Sequence, residues 1–268
     1  MSKVIVLQHV AHEGPGRLGP MLRDYGIQVE VRRLYSGDEV PTDLDGIRML
    51  IVLGGPMRMA DIGSEKFPFL AKEVELLQRC IAHDRATLGI CLGAQLIAHA
   101  AGAKVYPNVK PGANPGEAPI PMPEFGWLPV TFPFPGGTEP IVMGMTDGVM
   151  MFHWHFDTFD LPKLPPPANA PPPPAPPPPS GNSLLSSSKA CKNQAFRFKN
   201  RLFGFQFHFE LTQTDIEKIL VASWEDAAKA LGEGGERQIR QDTGRYYARY
   251  ARMGEKIVGN IVQFLKVY

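Results

Sequence analysis

The sequence predicts an α/β fold with a doubly wound, mostly parallel central sheet flanked by helices, an additional small β region and a C-terminal helical extension. In the first hundred residues, short apolar runs rich in β-branched side chains alternate with segments whose apolar residues recur at helical spacing. Beyond residue 101 the chain changes to short strand-like pieces, and beyond Thr212 to polar helical segments. A length of 268 residues with 44% hydrophobic content suffices for one large domain or two small ones.

The predicted elements follow from these two periodicities. Short apolar or alternating runs predict strands at 3–8, 29–34, 48–53, 86–90, 104–106, 127–132, 149–155, 194–198 and 202–207. Helical spacing predicts helices at 17–25, 67–82, 94–101, 215–223, 224–231 and 237–264. We therefore expect one domain over residues 1–222, followed by a helical extension at 223–268 that packs on it.

A proline-rich insertion at about 162–187 interrupts the predicted domain. Twelve of the twenty residues from 161 to 180 are proline, and a serine-rich stretch follows. This composition is typical of polyproline II or disordered segments, which cannot belong to a packed core. Two interpretations remain open, an inert surface insertion and a docking site for a proline-binding module.

Composition excludes several classes of function. The formal net charge is +1, from 28 basic and 27 acidic residues without a basic stripe, so nucleic-acid binding is not expected. No apolar run reaches the length of a signal peptide or a membrane span, which predicts a cytoplasmic protein without a membrane partner. Three cysteines without a C-x-x-C pair argue against a disulfide framework and a cysteine zinc site.

Cys91 lies where a predicted strand turns into a helix, within a Gly-x-Cys-x-Gly pattern. Such a sharp turn exposes a nucleophile at the carboxyl edge of the sheet, and glycines two residues away on each side allow the strand and helix to approach. We expect the helix N-terminus to lower the thiol pKa and the N–H of Leu92 to bind an oxyanion, with the N–H of Gly55 as second donor. The alternative is a buried structural cysteine.

His208 and Glu210 are the predicted general base and its partner. They lie two residues apart in an alternating segment, so both would project to one face if the strand persists. A histidine oriented by a carboxylate can take a thiol proton and later protonate a leaving amine. Taken alone, the pattern of a histidine and a glutamate two residues apart is also typical of a structural pair on the surface or in a sheet.

Five ordered blocks resemble class I, triad-type glutamine amidotransferases, in particular stand-alone members similar to the amidotransferase domain of GMP synthase. The resemblance covers roughly residues 3–216 and rests on Gly54–Met57, Gly89–Gln95, Gly126–Val130, Trp154–Asp157 and Gln206–Glu210. It implies a class I amidotransferase-like fold and a catalytic triad of Cys91, His208 and Glu210.

The same resemblance implies the substrate contacts. Gln95 would help to hold the amino-acid end of glutamine, and backbone around Trp154, Phe156 and Asp157 would line the pocket. Phe156 stands where the family often has glycine, which could narrow the pocket. Phe209 stands where proline is common, a change that we expect to be tolerated.

The implied reaction is hydrolysis of the glutamine side-chain amide through a γ-glutamyl thioester, with ammonia released for an unidentified acceptor or synthase partner. The order Cys, His, Glu argues against α/β-hydrolases, in which the acid precedes the histidine. No cofactor or metal is expected, and no Walker A loop is present that would indicate an ATP-dependent synthase domain. Two alternatives remain, a γ-glutamyl peptidase acting on small γ-glutamyl peptides and a non-catalytic regulatory or scaffold module.

Overall fold

The structure, a computed structural model, describes residues 2–114, 116–163 and 182–266. The strands are β1 (Lys3–Gln8), β2 (Val29–Arg33), β3 (Ile47–Val52), β4 (Thr87–Ile90), β5 (Val105–Pro107), β6 (Val109–Lys110), β7 (Ile120–Pro121), β8 (Glu124–Val130), β9 (Val149–His155), β10 (Asp157–Phe159), β11 (Asn182–Ser186), β12 (Ala195–Phe198) and β13 (Leu202–Phe205). The helices are α1 (Leu18–Asp24), α2 (Phe69–Ala82), α3 (Leu92–Ala100), α4 (Gln213–Leu231) and α5 (Gly235–Leu265).

Seven strands form the central sheet in the order β11-β12-β13-β4-β3-β1-β2. The five strands from β13 to β2 are parallel neighbours, whereas β12 and β11 add antiparallel pairs at one edge. Three further two-stranded sheets, β5 with β10, β6 with β7 and β8 with β9, make up the expected small β region. The predicted doubly wound, mostly parallel fold is confirmed.

The central strands β1, β3, β4 and β13 are buried on both faces of the sheet, which explains why they consist mainly of apolar residues. Along β1, Val4 and Val6 belong to one core cluster, and Ile5 and Leu7 belong to the other. Helices α2 and α3 cover the face of Ile5 and Leu7, and α1 and α5 cover the opposite face. The alternation of strand side chains thus builds two cores from one sheet.

The C-terminal helices pack against the sheet and share one of its cores. Helix α5 contributes buried residues to the same core as the strands, among them Ile257, Val258 and Ile261. Helix α4 spans the expected boundary at residue 222, and two helical segments meet in a kink at Ser223 (φ −130°, ψ 16°). In the described part of the chain, no helix has both the length and the apolar character needed to cross a membrane.

The end of the proline-rich insertion differs from its expected position near residue 187. Residues 182–186 form the edge strand β11, which pairs with β12, and the Leu185 side chain is fully buried. The sequence did not predict this strand, because it contains only two apolar residues among serines and shows no alternation of apolar and polar side chains. The predicted polyproline II segment itself falls mainly on residues 164–181, outside the described residues.

Helix α5 also holds the segment that follows Glu210. The Tyr250 side chain is fully buried, packs edge-on against Trp127 with ring centroids 5.1 Å apart, and accepts a hydrogen bond from the N–H of Leu211 (3.0 Å). The Arg17 guanidinium lies 4.9 Å from the Tyr250 ring and donates to the Leu211 carbonyl (2.8 Å). Both backbone polar groups of Leu211 are therefore paired with side chains from other elements.

Replacing Tyr250→Phe should lower the free energy of unfolding by about 1–3 kcal/mol, because the buried Leu211 N–H loses its acceptor. Urea denaturation followed by circular dichroism measures this change. Tyr35→Phe, at a tyrosine that is 42% exposed, serves as the matched control and should have little effect. Equal stability of the Tyr250→Phe variant and the unsubstituted protein would contradict the role of this hydroxyl.

Candidate active site

Four neighbouring parallel strands end at the same edge of the sheet, where ligands bind in open α/β folds. The loop after β1 carries Glu13, β3 leads into Gly54 and Gly55, β4 ends directly before Cys91, and β13 leads to His208. A cavity of about 160 Å³ lies at this edge. Elements distant in sequence thus converge because the strand order is β13-β4-β3-β1.

The residues expected at the site come together here. Seven of them line the cavity, namely Gly55, Cys91, Leu92, Gln95, Trp154, Phe156 and Asp157. His208 and Glu210 lie buried beside it, 1% and 2% exposed. The cavity is also lined by residues to which no sequence pattern assigned a role, including Glu13, Arg58, His155, Ser223 and Asp226.

The Cys91 turn is strained by close packing of β4 against α3. Cys91 has φ 53° and ψ −108°, a conformation that L side chains rarely adopt. A Cβ on Gly89 would lie 2.4 Å from the Gly93 carbonyl, and one on Gly93 would lie 2.0 Å from the carbonyl oxygen of Val52. Only glycine fits at these two positions, so the spacing predicted the turn for the right physical reason.

The thiol sits in a set of polar contacts. It donates to the Trp154 carbonyl (3.6 Å) and accepts from the side-chain amide of Gln206 (3.6 Å). The Gln206 carbonyl oxygen in turn accepts from Gln95 (3.1 Å), whose amide nitrogen also lies 3.5 Å from the Asp157 carbonyl oxygen. Gln206 belongs to a recognised sequence block, but its contact with the sulfur depends on tertiary structure.

Burial raises the pKa of the Cys91 thiol, in contrast to the expected lowering by the helix N-terminus. The hydrogen bonds of the sulfur with His208 and with the N–H of Leu92 do lower the pKa, whereas the nearby Glu13 carboxylate raises it. The expected effect of the helix is therefore present but smaller than the desolvation of the charged form. A thiolate at this position depends on a proton acceptor in contact with the sulfur.

His208 and Glu210 contact each other although the expected strand does not persist. Strand β13 ends at Phe205, and the His208 N–H instead donates to the Phe152 carbonyl (2.8 Å) in an isolated bridge. Nδ1 of His208 lies 2.7 Å from Oε1 of Glu210, whose other oxygen accepts from the Phe209 N–H (2.9 Å). The contact thus arises from a bridge to another hairpin, without strand alternation.

The charge of Glu210 controls the protonation of His208. Burial alone would favour the neutral imidazole, but the Glu210 carboxylate and the contact with Cys91 outweigh it, so the pKa of His208 lies well above its usual value. The His208 side chain is also hydrogen-bonded to the Cys91 sulfur. The imidazole therefore has the position and basicity to accept the Cys91 proton.

A buried ion pair fixes the glycine loop opposite Cys91. Nδ1 of His9 donates to the Gly54 carbonyl (2.9 Å), and Nε2 contacts the Glu73 carboxylate (3.0 and 3.1 Å). Burial opposes the charged form, but Glu73 raises the pKa of His9 above its usual value. Because a trans peptide directs its C=O and N–H to opposite sides, the Gly55 N–H points away from His9. This orientation suits an oxyanion donor.

The mouth of the cavity carries side chains that no motif indicated. The Arg58 guanidinium lies 5.1 Å from the ring of Phe156, which packs edge-on against Phe125 with ring centroids 5.0 Å apart. Ser223, at the kink of α4, and Asp226 line the same cavity. Phe156 thus forms part of a rim that α4 completes.

One wall of the cavity rests on a buried polar cluster of Glu124, His153 and His155. These side chains could offer three metal-ligand atoms within 4.8 Å of one another. The Glu124 carboxylate, however, already accepts from Gln194 and Ser188 and lies 3.0 Å from Nε2 of His155. Nδ1 of His155 hydrogen-bonds the Asp157 carbonyl oxygen (3.0 Å). The cluster therefore supports the backbone around Asp157.

Known proteins to which this chain is similar include glutamine amidotransferases and their relatives. The family model described as glutamine amidotransferase class-I matches residues 18–224. A glutamine amidotransferase-like protein of Salmonella typhimurium is 28% identical over 257 residues, which cover 95% of this chain and 94% of that protein. One of the subunits of a glutamine-hydrolysing GMP synthase from Thermoplasma volcanium is 27% identical over 195 residues, or 72% of this chain and 76% of that relative.

The fold is shared with solved structures. A glutamine amidotransferase from Thermotoga maritima superposes with a TM-score of 0.74 over 98% of both chains, at 23% sequence identity. A second, from Methylobacillus flagellatus, gives a TM-score of 0.72 over 98% of this chain and 95% of that chain, at 24% identity. Both similarities concern the fold.

The strain at Cys91 should appear as an inverted order of stability between two variants. Glycine normally costs about 0.5–1 kcal/mol relative to alanine, but only glycine is unstrained at φ 53°, ψ −108°. We expect Cys91→Gly to be more stable than Cys91→Ala by about 1 kcal/mol, since residues in such regions store about 1–3 kcal/mol. Urea denaturation of both variants measures the difference, and the usual order would show that the turn is unstrained.

Buried His153 should make the fold sensitive to acid. Burial lowers its pKa to about 3, below the value of ~6.5 of an unfolded chain, so the unfolded state binds one more proton between these pH values. Stability from this group is fully present above pH ~6.5 and falls by about 1.4 kcal/mol per pH unit below it. Unfolding at pH 5, 6 and 7 should show a shallower slope for His153→Gln, whereas the exposed-site control His83→Gln should keep the original slope.

Proposed function

The chain belongs to the class I glutamine amidotransferase family, and on that premise we propose that it hydrolyses the side-chain amide of glutamine through a thioester on Cys91. The observation that carries this proposal is the convergence of a thiol on a strained turn with a buried histidine–carboxylate pair at one cavity. Neither Cys80 nor Cys191 has comparable surroundings, because neither lines this cavity.

The first half of the reaction forms the acyl-enzyme. His208 takes the thiol proton as the Cys91 sulfur attacks the side-chain carbonyl carbon, which moves the C=O electron pair onto oxygen. The N–H groups of Leu92 and Gly55 stabilise this oxyanion. The His208 imidazolium, stabilised by Glu210, then protonates the amide nitrogen; the C–N bond breaks, ammonia leaves and the γ-glutamyl thioester remains.

The second half releases the acyl group. Neutral His208 takes a proton from water as the water oxygen attacks the thioester carbonyl carbon, and the oxyanion forms again between the same two N–H groups. Collapse of this intermediate breaks the C–S bond, and the proton on His208 returns to the sulfur. The products are glutamate and the starting enzyme, so the cycle uses water and needs no electron acceptor or donor.

The cavity residues give the substrate's amino-acid end a set of partners. We propose that Gln95 and the backbone around Trp154, Phe156 and Asp157 bind the α-amino and α-carboxylate groups. The support is that all four residues line the cavity beside Cys91. Its volume of about 160 Å³ suits a molecule of the size of glutamine.

The acceptor of ammonia is proposed to be bound by a separate synthase protein. The support is that one relative is named as a subunit of a glutamine-hydrolysing GMP synthase. A GMP synthase of Porphyromonas gingivalis is matched over only 28% of its length, so most of that protein has no counterpart in this chain. We also propose a cytoplasmic location. The support is that all three cysteines are free thiols, as is usual in a reducing compartment.

Labelling with a glutamine-like electrophile tests the nucleophile. We expect 6-diazo-5-oxonorleucine to modify Cys91 alone, since this thiol lies in the cavity beside its proton acceptor. Peptide mass mapping locates the label, and the Cys80→Ala and Cys191→Ala variants serve as matched controls that keep the modification. A label on Cys80 or Cys191 with none on Cys91 would refute the proposal.

Turnover then identifies the substrate. Glutamate release from glutamine should fall by at least about 10³-fold in Cys91→Ala and His208→Ala, in line with the loss of a nucleophile or its base. The same assay with γ-glutamyl dipeptides separates an amidotransferase from a γ-glutamyl peptidase, because only the leaving group differs. Absence of a thioester with every γ-glutamyl compound would favour a non-catalytic module.

A further inference from the structure

Glu13 is a buried acidic residue of the cavity to which the reaction above assigns no role. It lies in the loop between β1 and α1, lines the cavity together with Cys91 and is only 8% exposed. Among the described residues its nearest ion-pair partner is His12, with 3.9 Å between Nε2 and Oε1, beyond hydrogen-bond distance. Burial lowers the pKa of His12, so this partner is neutral at neutral pH.

The Glu13 carboxylate faces the same point in space as the His208 ring. A Cβ added to Gly54 would lie 2.2 Å from Oε2 of Glu13 and 3.1 Å from Cε1 of His208. The absence of a side chain at Gly54 therefore leaves room for the carboxylate next to the imidazole. Because His208 protonates the departing nitrogen in the proposed reaction, Glu13 lies on the side of the leaving group.

The two histidines whose charges act on Glu13 are already paired with other acids. His208 is bound to Glu210 (2.7 Å), and His9 is bound to Glu73 (3.0 Å). Burial and the neighbouring Glu210 raise the pKa of Glu13, and His208 and His9 oppose this only in part. A buried carboxylate without a dedicated partner is costly, and a cation entering the cavity would remove much of that cost.

We propose that Glu13 forms a cation subsite for the leaving group, and that the preferred substrates are γ-glutamyl amides whose amine carries a second, positively charged amino group. This inference rests on the proposed hydrolysis at Cys91 and specifies its substrate class. The scissile bond and the proton transfers are unchanged. Glu13 contacts the distal ammonium group and holds the leaving amine beside His208.

A different role for Glu13 makes a different prediction. Its negative charge also stabilises the protonated form of His208, so Glu13 could act only through the imidazole. In that case its removal would change the pH profile of every substrate alike. A subsite instead changes the ratio of rates between a cationic and a neutral leaving group, because only the former has a charge to bind.

The test compares two γ-glutamyl amides of equal size. The leaving amines are 1,3-diaminopropane, which is cationic at pH 7.5, and butylamine, which carries no distal charge. We expect kcat/KM of the unsubstituted protein to favour the diamine derivative by about 10-fold or more, in line with a hydrogen-bonded charge pair in a partly desolvated site. Glutamate release is the readout for both compounds.

Variants then assign the preference to Glu13. In Glu13→Gln the ratio should fall to about one, whatever the absolute rates, and Glu13→Asp should restore part of it. Glu75→Gln, at an exposed residue of α2, is the matched control and should leave the ratio unchanged. Labelling of Cys91 by the glutamine-like electrophile verifies that each variant has an intact cavity.

The two proposals fail separately. Hydrolysis of both amides with equal kcat/KM, or a cationic preference that persists in Glu13→Gln, overturns the subsite and leaves hydrolysis at Cys91 intact. The subsite is also overturned if Glu13→Gln changes kcat/KM and its pH profile equally for both substrates, since this is the behaviour of a residue acting through His208. Failure to hydrolyse any γ-glutamyl compound, with no label on Cys91, overturns the proposed function itself.

Discussion

The close approach of β4 and α3 is the constraint on which the site depends. Gly89 and Gly93 have no side chains where the Gly93 carbonyl and the Val52 carbonyl leave no room for a Cβ. The chain can then pass from strand to helix only through a sharp turn, and the residue in that turn, Cys91, adopts a positive φ. Its thiol consequently lies at the carboxyl edge of the sheet with the N–H of Leu92, the first residue of α3, beside it.

The other parts of the site are positioned by neighbours of β4 and by the layers that cover the sheet. On one side, the buried His9–Glu73 pair holds the glycine loop after β3 in place through the hydrogen bond of His9 with the Gly54 carbonyl. From the other side, α1 and α5 secure the segment after Glu210, since the N–H of Arg17 donates to the Glu210 carbonyl (2.8 Å) and the Tyr250 hydroxyl accepts from Leu211. Residues remote from the cavity thereby fix the orientation of its acid and base.

Burial disfavours the charged forms of both Cys91 and His208, so it shifts their pKa values in opposite directions. It raises the thiol pKa of Cys91 more than the helix N-terminus lowers it, and it would favour a neutral His208 without the Glu210 carboxylate. The same low-polarity surroundings strengthen each remaining charge–charge contact, including that of Glu13 with a cation. The site therefore relies on paired charges, which explains why several histidine–carboxylate contacts are buried around one small cavity.

The spacing of residues along the sequence predicted much of the fold and the turn at Cys91. Apolar periodicity placed the parallel strands and their helices within a few residues, and the glycines around Cys91 identified the turn, because both signals depend on neighbours in the chain. The contact of Gln206 with the sulfur, the role of Tyr250 in α5, the strand at 182–186 and the position of Glu13 beside His208 could not be read in this way. Each depends on residues far apart in sequence, and the pKa of a buried group depends on everything that surrounds it, so only the tertiary structure decided them.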